Sequence, residues 1–415
     1  MKTCKYLIVG AGLGGHQAAA GIRKLDKQGE ILLVGQEPHR PYNRPPLTKE
    51  YMQGKKPLEK AFCEGADFYA ANGIELLAGR SVSRLDAAGS LARLDDGLEV
   101  RFQKCIYATG GRPVQMDIPG TGHPGVFYFR TMDDAVAVSA AADSAAGVAV
   151  VGGGFIGMEL ASSLTQRGRQ VHVIDSGPYV WRRFADRQLS EYVMNCCAAR
   201  GVKFHTGQRA GEVRLSGGKA VGLTTSAGEQ IDADLVIIAA GIVPNVELAR
   251  QAGLACENGV LVNDRMQSSN AGIYAVGDVA NYPDPLFHKR RRVEHWGQAD
   301  YTGDLAGRNA AGADEPYNLL SYVWSDIFEL HLEFAGMELD YDRLLVRGQM
   351  QENRFALLHL KQDRLTAYYS VNLPKADYRA MGKLIEKQVD LSSRQAELAN
   401  PAFALEELTA APAGR

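Results

Sequence analysis

No Cys-x-x-Cys pair occurs among the six cysteines (Cys4, Cys63, Cys105, Cys196, Cys197 and Cys256), so neither a dithiol motif of that spacing nor a zinc site is expected. Cys196 and Cys197 adjoin and could form a vicinal thiol sensor, but consecutive side chains on a helix face apart. No uninterrupted apolar run reaches the about 18 residues of a membrane-spanning helix. The first such run, Tyr6-Leu7-Ile8-Val9, is too short for the core of a signal peptide, and a reducing cytoplasm is the expected compartment. Charge of one sign is also lacking. A net charge of −2 offers no footprint for nucleic acid or a membrane surface. What remains is a soluble balance, 46% apolar and 23% charged, in a chain of 415 residues that is too long for one core.

Glycine is plentiful, and its placement organises the chain. A strand at 5–9 enters a glycine turn, followed by a helix at 13–25 and a strand at 31–34. The pattern returns downstream, with a strand at 148–151, a second glycine turn, a helix at 155–167 and a strand at 170–174. Each βαβ unit can build one pyrophosphate cradle, so two nucleotide sites are implied. Further strands are predicted at 104–108, 235–239 and 273–276, each ending in polar or glycine residues where ligands meet a doubly wound sheet. From about residue 318 the texture becomes aromatic and β-branched. Strands are expected at 322–327, 344–346, 355–360 and 365–370, with a helix at 376–388 and a frayed tail at 409–415.

The first loop, Gly10-Ala11-Gly12-Leu13-Gly14-Gly15, fits G-x-G-x-x-G through Gly10, Gly12 and Gly15. Glycine serves the tight turn, the approach to pyrophosphate and the packing of helix on strand. The helix that follows offers free N–H groups to phosphate. Glu37, about 20 residues on, stands where a carboxylate binds ribose hydroxyls. The second loop is Gly152-Gly153-Gly154-Phe155-Ile156-Gly157, with Gly152, Gly154 and Gly157 in the same roles. Asp175 ends the next strand, where a carboxylate favours NADH and repels the 2′-phosphate of NADPH. Arg182 and Arg183, just beyond, could restore phosphate binding.

Between and after these loops stand Ala108-Thr109-Gly110-Gly111-Arg112-Pro113, Ala239-Ala240-Gly241-Ile242-Val243-Pro244-Asn245 and Tyr274-Ala275-Val276-Gly277-Asp278. This order resembles the two-dinucleotide-binding flavoprotein superfamily that includes glutathione reductase. Within it, the chain is most similar to the ferredoxin and rubredoxin reductases of oxygenase systems, the putidaredoxin reductase type. The likeness runs from Lys5 to about Leu408 and includes Arg44-Pro45-Pro46-Leu47-Thr48-Lys49, Phe129-Arg130-Thr131, Val293-Glu294-His295-Trp296 and Trp324-Ser325-Asp326. It implies an α/β fold with two Rossmann-like domains and a C-terminal α+β domain. The FAD-binding domain would take residues 1–111 and 242–317, the NAD(P)H domain 112–241 and the interface domain 318–415.

The resemblance also assigns roles. FAD would be held by Gly10, Gly12, Gly14, Gly15, Glu37, Arg44, Lys49, Val82, Ala108, Thr109, Gly110, Arg130, Gly277, Asp278 and Trp296. NADH would be held by Gly152, Gly154, Phe155, Ile156, Gly157, Glu159, Asp175, Ala240 and Gly241, with NADPH disfavoured. Asp278 matches the aspartate on the FAD ribityl chain; alternatively it caps a helix expected to follow. Trp296 would present its backbone to the flavin, or serve only as a core aromatic. Lys49 matches a lysine near flavin N5, where a fixed cation stabilises the charge that reduction brings. Glu159 matches its partner from the nicotinamide side. The bland alternatives are a surface lysine and a first-turn glutamate. No metal is expected.

Glutathione-reductase-like enzymes place a Cys-x4-Cys disulfide after the first βαβ unit, but residues 37–46 here hold no sulfur. Electrons would therefore pass from the flavin directly to an acceptor, and a small iron–sulfur carrier, ferredoxin or rubredoxin, is the expected partner. The basic run His288-Lys289-Arg290-Arg291-Arg292 could steer an acidic carrier, or be a solvated loop with Arg292 in a local ion pair. After Trp324-Ser325-Asp326 the chain departs from the family, which often has a glutamine or tyrosine in the stretch where Ile327-Phe328-Glu329-Leu330 stands. A flavin NADH oxidase or quinone reductase is the competing enzymatic reading. A nucleotide-responsive flavoprotein like apoptosis-inducing factor is the competing non-enzymatic one. A homodimer through the C-terminal domain is possible.

Overall fold

The computed structural model describes residues 1–336 and 339–409. The chain divides into two compact units. One comprises Met1–Pro45, Pro57–Arg112 and Ile242–Ser321, and the other Pro46–Lys56, Pro113–Gly241 and Tyr322–Arg415.

The first unit is built on a sheet whose strands run in the order Ile74–Ala78, Ile31–Gly35, Lys2–Val9, Glu99–Tyr107, Leu91–Leu94 and Val82–Asp86; Ile273–Ala275 also pairs with Glu99–Tyr107. The pairings of Lys2–Val9 with both neighbours are parallel. Where both faces are covered the strands become continuous apolar runs, and Tyr6-Leu7-Ile8-Val9 and Ile31–Gly35 are buried throughout. Over one face lies the helix Leu13–Leu25, itself laid against Trp296–Ala310.

In the second unit a parallel sheet has the order Lys203–Thr206, Gln170–Asp175, Gly147–Val151, Leu235–Ile238 and Val126–Tyr128. The helix Phe155–Gln166 follows its central strand. A three-stranded antiparallel meander, Ala210–Ser216, Lys219–Thr225 and Gln230–Asp232, shares a core with this sheet through Ile174, Val213, Leu223 and Val236. The C-terminal part is a five-stranded antiparallel sheet, Tyr322–Ile327, Leu330–Ala335, Arg364–Val371, Arg354–Lys361 and Arg343–Gln349, followed by the helix Lys375–Glu386. Fully buried Arg347 ties down the chain beyond, donating to the carbonyls of Leu398, Asn400 and Phe403.

The expected frayed tail falls outside the described residues from 410 onward. One expectation fails in the first unit. No helix follows Asp278. It lies in a short 3-10 turn, Gly277–Val279, that leads into the strand Ala280–Asp284. That strand forms through a parallel pairing with Gly259–Leu261, a contact invisible to local sequence. The helix-capping reading of Asp278 falls with it.

Candidate active site

In the first unit, the strand Lys2–Val9 delivers the chain to Gly10, whose φ of +113° only glycine adopts easily. A Cβ there would stand 2.2 Å from the Ala108 carbonyl oxygen, so Ala108, Thr109 and Gly110 lie beside the loop. A Cβ on Gly15 would meet the Gly10 oxygen at 1.9 Å, while one on Gly12 would meet nothing within 4 Å. Space therefore opens over the backbone at the start of the helix Leu13–Leu25, where a pyrophosphate could approach the free N–H groups. Gly14 packs toward Val276 and Gly277, which brings the turn of Asp278 to the same helix. Thr109 donates to the Asn245 carbonyl at 2.9 Å and fixes the crossover.

Glu37 is held on both oxygens. Arg44 Nη2 donates to Oε1 at 2.9 Å and Tyr42 Oη to Oε2 at 2.5 Å, leaving lone pairs for ribose hydroxyls. Trp296 begins its helix and its indole N–H donates to Asn43 Oδ1 at 2.7 Å, tying the 42–44 segment to that helix terminus. Val82 starts the edge strand of the sheet, several strands away from Lys2–Val9. The basic run is spoken for locally. Arg290 donates to the carbonyls of Val262 and Asn281; Arg291 faces Asp284 and the Phe287 ring; Arg292 pairs with Glu294. His288 and Lys289 lie among its exposed residues.

The second unit repeats the cradle. Gly152 has φ +109°, a Cβ on Gly157 would stand 1.9 Å from the Gly152 oxygen, and one on Gly154 would meet nothing within 4 Å. A Cβ on Gly152 would meet Ala239 O at 2.5 Å and Ala240 Cα at 3.2 Å, which places the Ala239–Gly241 turn beside the loop. Asp175 accepts from the Gly153 N–H on Oδ2 and the Gly177 N–H on Oδ1, both at 2.7 Å. Ile156 is 41% exposed at the helix start. Phe155 stacks on Phe184 at 4.3 Å. Arg130, at the N-terminal end of the helix Met132–Ser144, also belongs to this unit.

Lys49 and Glu159 meet here. Both residues are buried, at 8% and 4% exposure, and Lys49 Nζ lies 2.7 Å from Glu159 Oε1. Neither is the surface lysine or first-turn glutamate of the bland reading. Two groups overlooked in the sequence join them. Thr48 Oγ1 donates to Glu159 Oε2 at 2.5 Å, and Ser325 Oγ donates to Oε1 at 2.7 Å. Ser163 Oγ donates to the Thr48 carbonyl, and the Phe328 N–H to Ser162 Oγ, each at 2.7 Å. The helix side of this cluster is signalled by the spacing of Glu159, Ser162 and Ser163, a polar i, i+3, i+4 stripe within the buried stretch Gly157–Leu164.

Sulfur offers no relay. Cys63 is unpaired, and burial pushes its thiol up to about 12, so it stays protonated at neutral pH. Among the described residues no cluster of His, Cys, Asp or Glu could hold a metal ion, and no helix is long and apolar enough to cross a membrane.

A family model described as pyridine nucleotide-disulphide oxidoreductase matches residues 4–303, and one described as reductase C-terminal matches residues 322–409. A probable ferredoxin reductase of Castellaniella defragrans is 33% identical over 94% of this chain and 96% of its own length. The putidaredoxin reductase of Pseudomonas putida is 32% identical over 89% of this chain and 88% of its own. The solved covalent complex of putidaredoxin reductase with putidaredoxin superposes with a TM-score of 0.93 at 29% identity, covering 98% of both chains.

Proposed function

Because the chain belongs to the pyridine nucleotide-disulphide oxidoreductase family, we propose that it is an NADH-dependent FAD reductase that hands electrons to a ferredoxin- or rubredoxin-like iron–sulfur carrier. The duplicated cradle carries this reading: two glycine loops with matching geometry suit two dinucleotides, one per unit. The first unit, with Gly10, Gly12, Gly15, Glu37 and the Gly277–Asp278 turn, would hold FAD. The second, from Gly152 to Gly157 with Asp175, would hold the nicotinamide nucleotide. FAD, when bound, supplies the conversion of a hydride into two single electrons.

The chain's own residues do the rest. Helix starts at Leu13 and Phe155 direct N–H groups to the phosphates. Asp175, its orientation fixed by two loop amides, accepts ribose hydroxyls and repels a 2′-phosphate, which favours NADH. Lys49 provides a fixed ammonium in a water-poor setting, where a preorganised cation stabilises developing negative charge far better than water does. The relatives named for ferredoxin and putidaredoxin support an iron–sulfur acceptor, as does the want of a dithiol. Six unpaired cysteines suit a reducing cytoplasm.

The test is anaerobic mixing of the yellow holoprotein with NADH, then with ferredoxin, rubredoxin, quinone or oxygen in turn. Rapid bleaching followed by rapid reoxidation with an iron–sulfur protein alone is the expected result. Rapid reoxidation by oxygen or quinone instead would make it an oxidase or quinone reductase.

A further inference from the structure

The Glu159 carboxylate is almost wholly withdrawn from water, a state that is costly unless its lone pairs all meet donors. One ammonium on a flexible four-carbon stem does not fix it, since Lys49 has three rotatable donors and many rotamers. Two hydroxyls complete the set. Thr48 is the chain neighbour of Lys49 and moves with it. Ser325 does not: it comes from the strand Tyr322–Ile327, 166 residues away in sequence, and shares oxygen Oε1 with Lys49. The same hairpin is fastened a second time to the same helix, through the Phe328 N–H on Ser162 Oγ. On the other side, Ser163 holds the Thr48 carbonyl and lies 3.2 Å from Gln53 Nε2. The helix that starts at the second glycine loop thus grips the Lys49 segment with Glu159 and Ser163, and the C-terminal hairpin with Glu159 and Ser162.

Resting on the reading of Lys49 given above, we infer that Ser325 is a positioning residue for flavin reduction: its hydroxyl fixes the Glu159 carboxylate, which in turn fixes the Lys49 ammonium. The C-terminal domain then governs the acceptance of hydride as well as whatever docking it provides. Glu50, Asp326 and His331 also lie within electrostatic reach of Lys49, so the local field is shared among several groups and its geometry matters.

The experiment compares Ser325→Ala and Ser325→Thr holoproteins with wild type, reading the single-turnover rate of flavin bleaching by NADH, its pH profile and the flavin midpoint potential. Loss of a hydrogen bond to a charged group predicts bleaching about tenfold slower in the Ala variant. The potential should fall, and the pH below which the rate declines should move up. Threonine, which keeps the hydroxyl, should restore all three. Wild-type values for Ser325→Ala would overturn the inference, as would equal damage in both variants, which would mark a packing role. If the Ala variant loses flavin, Ser325→Cys, near in size with a weak donor, carries the same test: a wild-type rate and potential overturn it. Lys49→Ala separates the two levels. If it too leaves rate and potential unchanged, the reading of Lys49 fails. If it alone has an effect, only the role of Ser325 fails.

Discussion

The backbones of the two glycine loops are near copies, with φ of +113° at Gly10 and +109° at Gly152 and the same 1.9 Å encounter awaiting a Cβ on Gly15 or Gly157. Their surroundings differ. The helix after the first loop is closed by a zipper of small residues. A Cβ on Gly303 would stand 2.5 Å from the Gly14 oxygen, and one on Gly307 2.2 Å from the Ala18 oxygen. The helix after the second loop instead buries Glu159, Ser162 and Ser163 and spends them on polar contacts. One cradle design is thus wrapped in two ways. Tight apolar packing suits a cofactor that stays, and a charged, hydroxyl-lined helix suits a nucleotide that arrives, reacts and leaves.

The sharpest way to break this contrast is to remove the buried charge. Lys49→Met leaves Glu159 without its cation, and we expect a loss of about 3–5 kcal/mol in unfolding free energy. Flavin bleaching by NADH should slow by about 100-fold. The double variant Lys49→Met with Glu159→Gln should recover much of the stability and none of the rate, as chemical denaturation and anaerobic stopped flow would reveal. A smaller effect is expected at Asp175. If Asp175 accepts the ribose hydroxyls as proposed, Asp175→Ala should lower the ratio of kcat/KM for NADH to that for NADPH about tenfold or more. Flavin content should be unchanged, because Asp175 belongs to the second cradle only.

The smallest effect is one of pH, and it runs in opposite directions in the two regions. His16, on the helix after the first loop, is buried beside Tyr69, and burial lowers its pKa. Its contribution is present above the unfolded value of about 6.5 and is lost as pH falls through the lowered folded value. His331, on the strand Leu330–Ala335 of the second unit, has its pKa raised, first by the hydrogen bond to Asp326. Its contribution is full below about 6.5 and is lost as pH rises through the raised folded value. Partial burial would raise the pKa of Asp326, yet His331 and Lys49 hold it below the usual carboxylate range, so its share persists until more acid pH. Melting of His16→Gln and His331→Gln against wild type should show gaps that shrink at low and at high pH respectively. The His331 gap should stay under about 1 kcal/mol, because the pair is half exposed.

Much of the fold is legible in the sequence because glycine spacing and apolar runs are local signals. The helix Leu13–Leu25 and the strand Tyr322–Ile327 lie where the residues alone place them, and the helix Lys375–Glu386 begins one residue early. What escapes is non-local. The strand after Asp278 exists through its pairing with Gly259–Leu261. The local ion pair weighed for Arg292 forms with Glu294, but nothing local shows Arg290 and Arg291 turning back onto Asn281 and Asp284. The pairing of Lys49 with Glu159 is expected from the resemblance and is present, but that Thr48 joins it and that Pro46–Lys56 falls with the second unit is not legible locally. Ser325 sat in a recognisable tripeptide, but nothing in a linear reading says which carboxylate it meets. The meander at 210–232 has one local signal, Gly217-Gly218, a dipeptide typical of a tight hairpin turn.

The division of labour between the cradles is tested most directly by Gly15→Ala and Gly157→Ala purified side by side, with bound flavin counted by absorbance and NADH affinity measured by titration. Each added methyl clashes first with a carbonyl oxygen of its own loop, Gly10 or Gly152 at 1.9 Å, and then touches one strand side chain, Leu33 or Val150. Gly15→Ala should come off the column largely colourless, and Gly157→Ala should stay yellow while its affinity for NADH falls by about 100-fold. If Gly157→Ala loses flavin while Gly15→Ala keeps it, or if both lose only NADH, the assignment of one nucleotide to each loop is wrong.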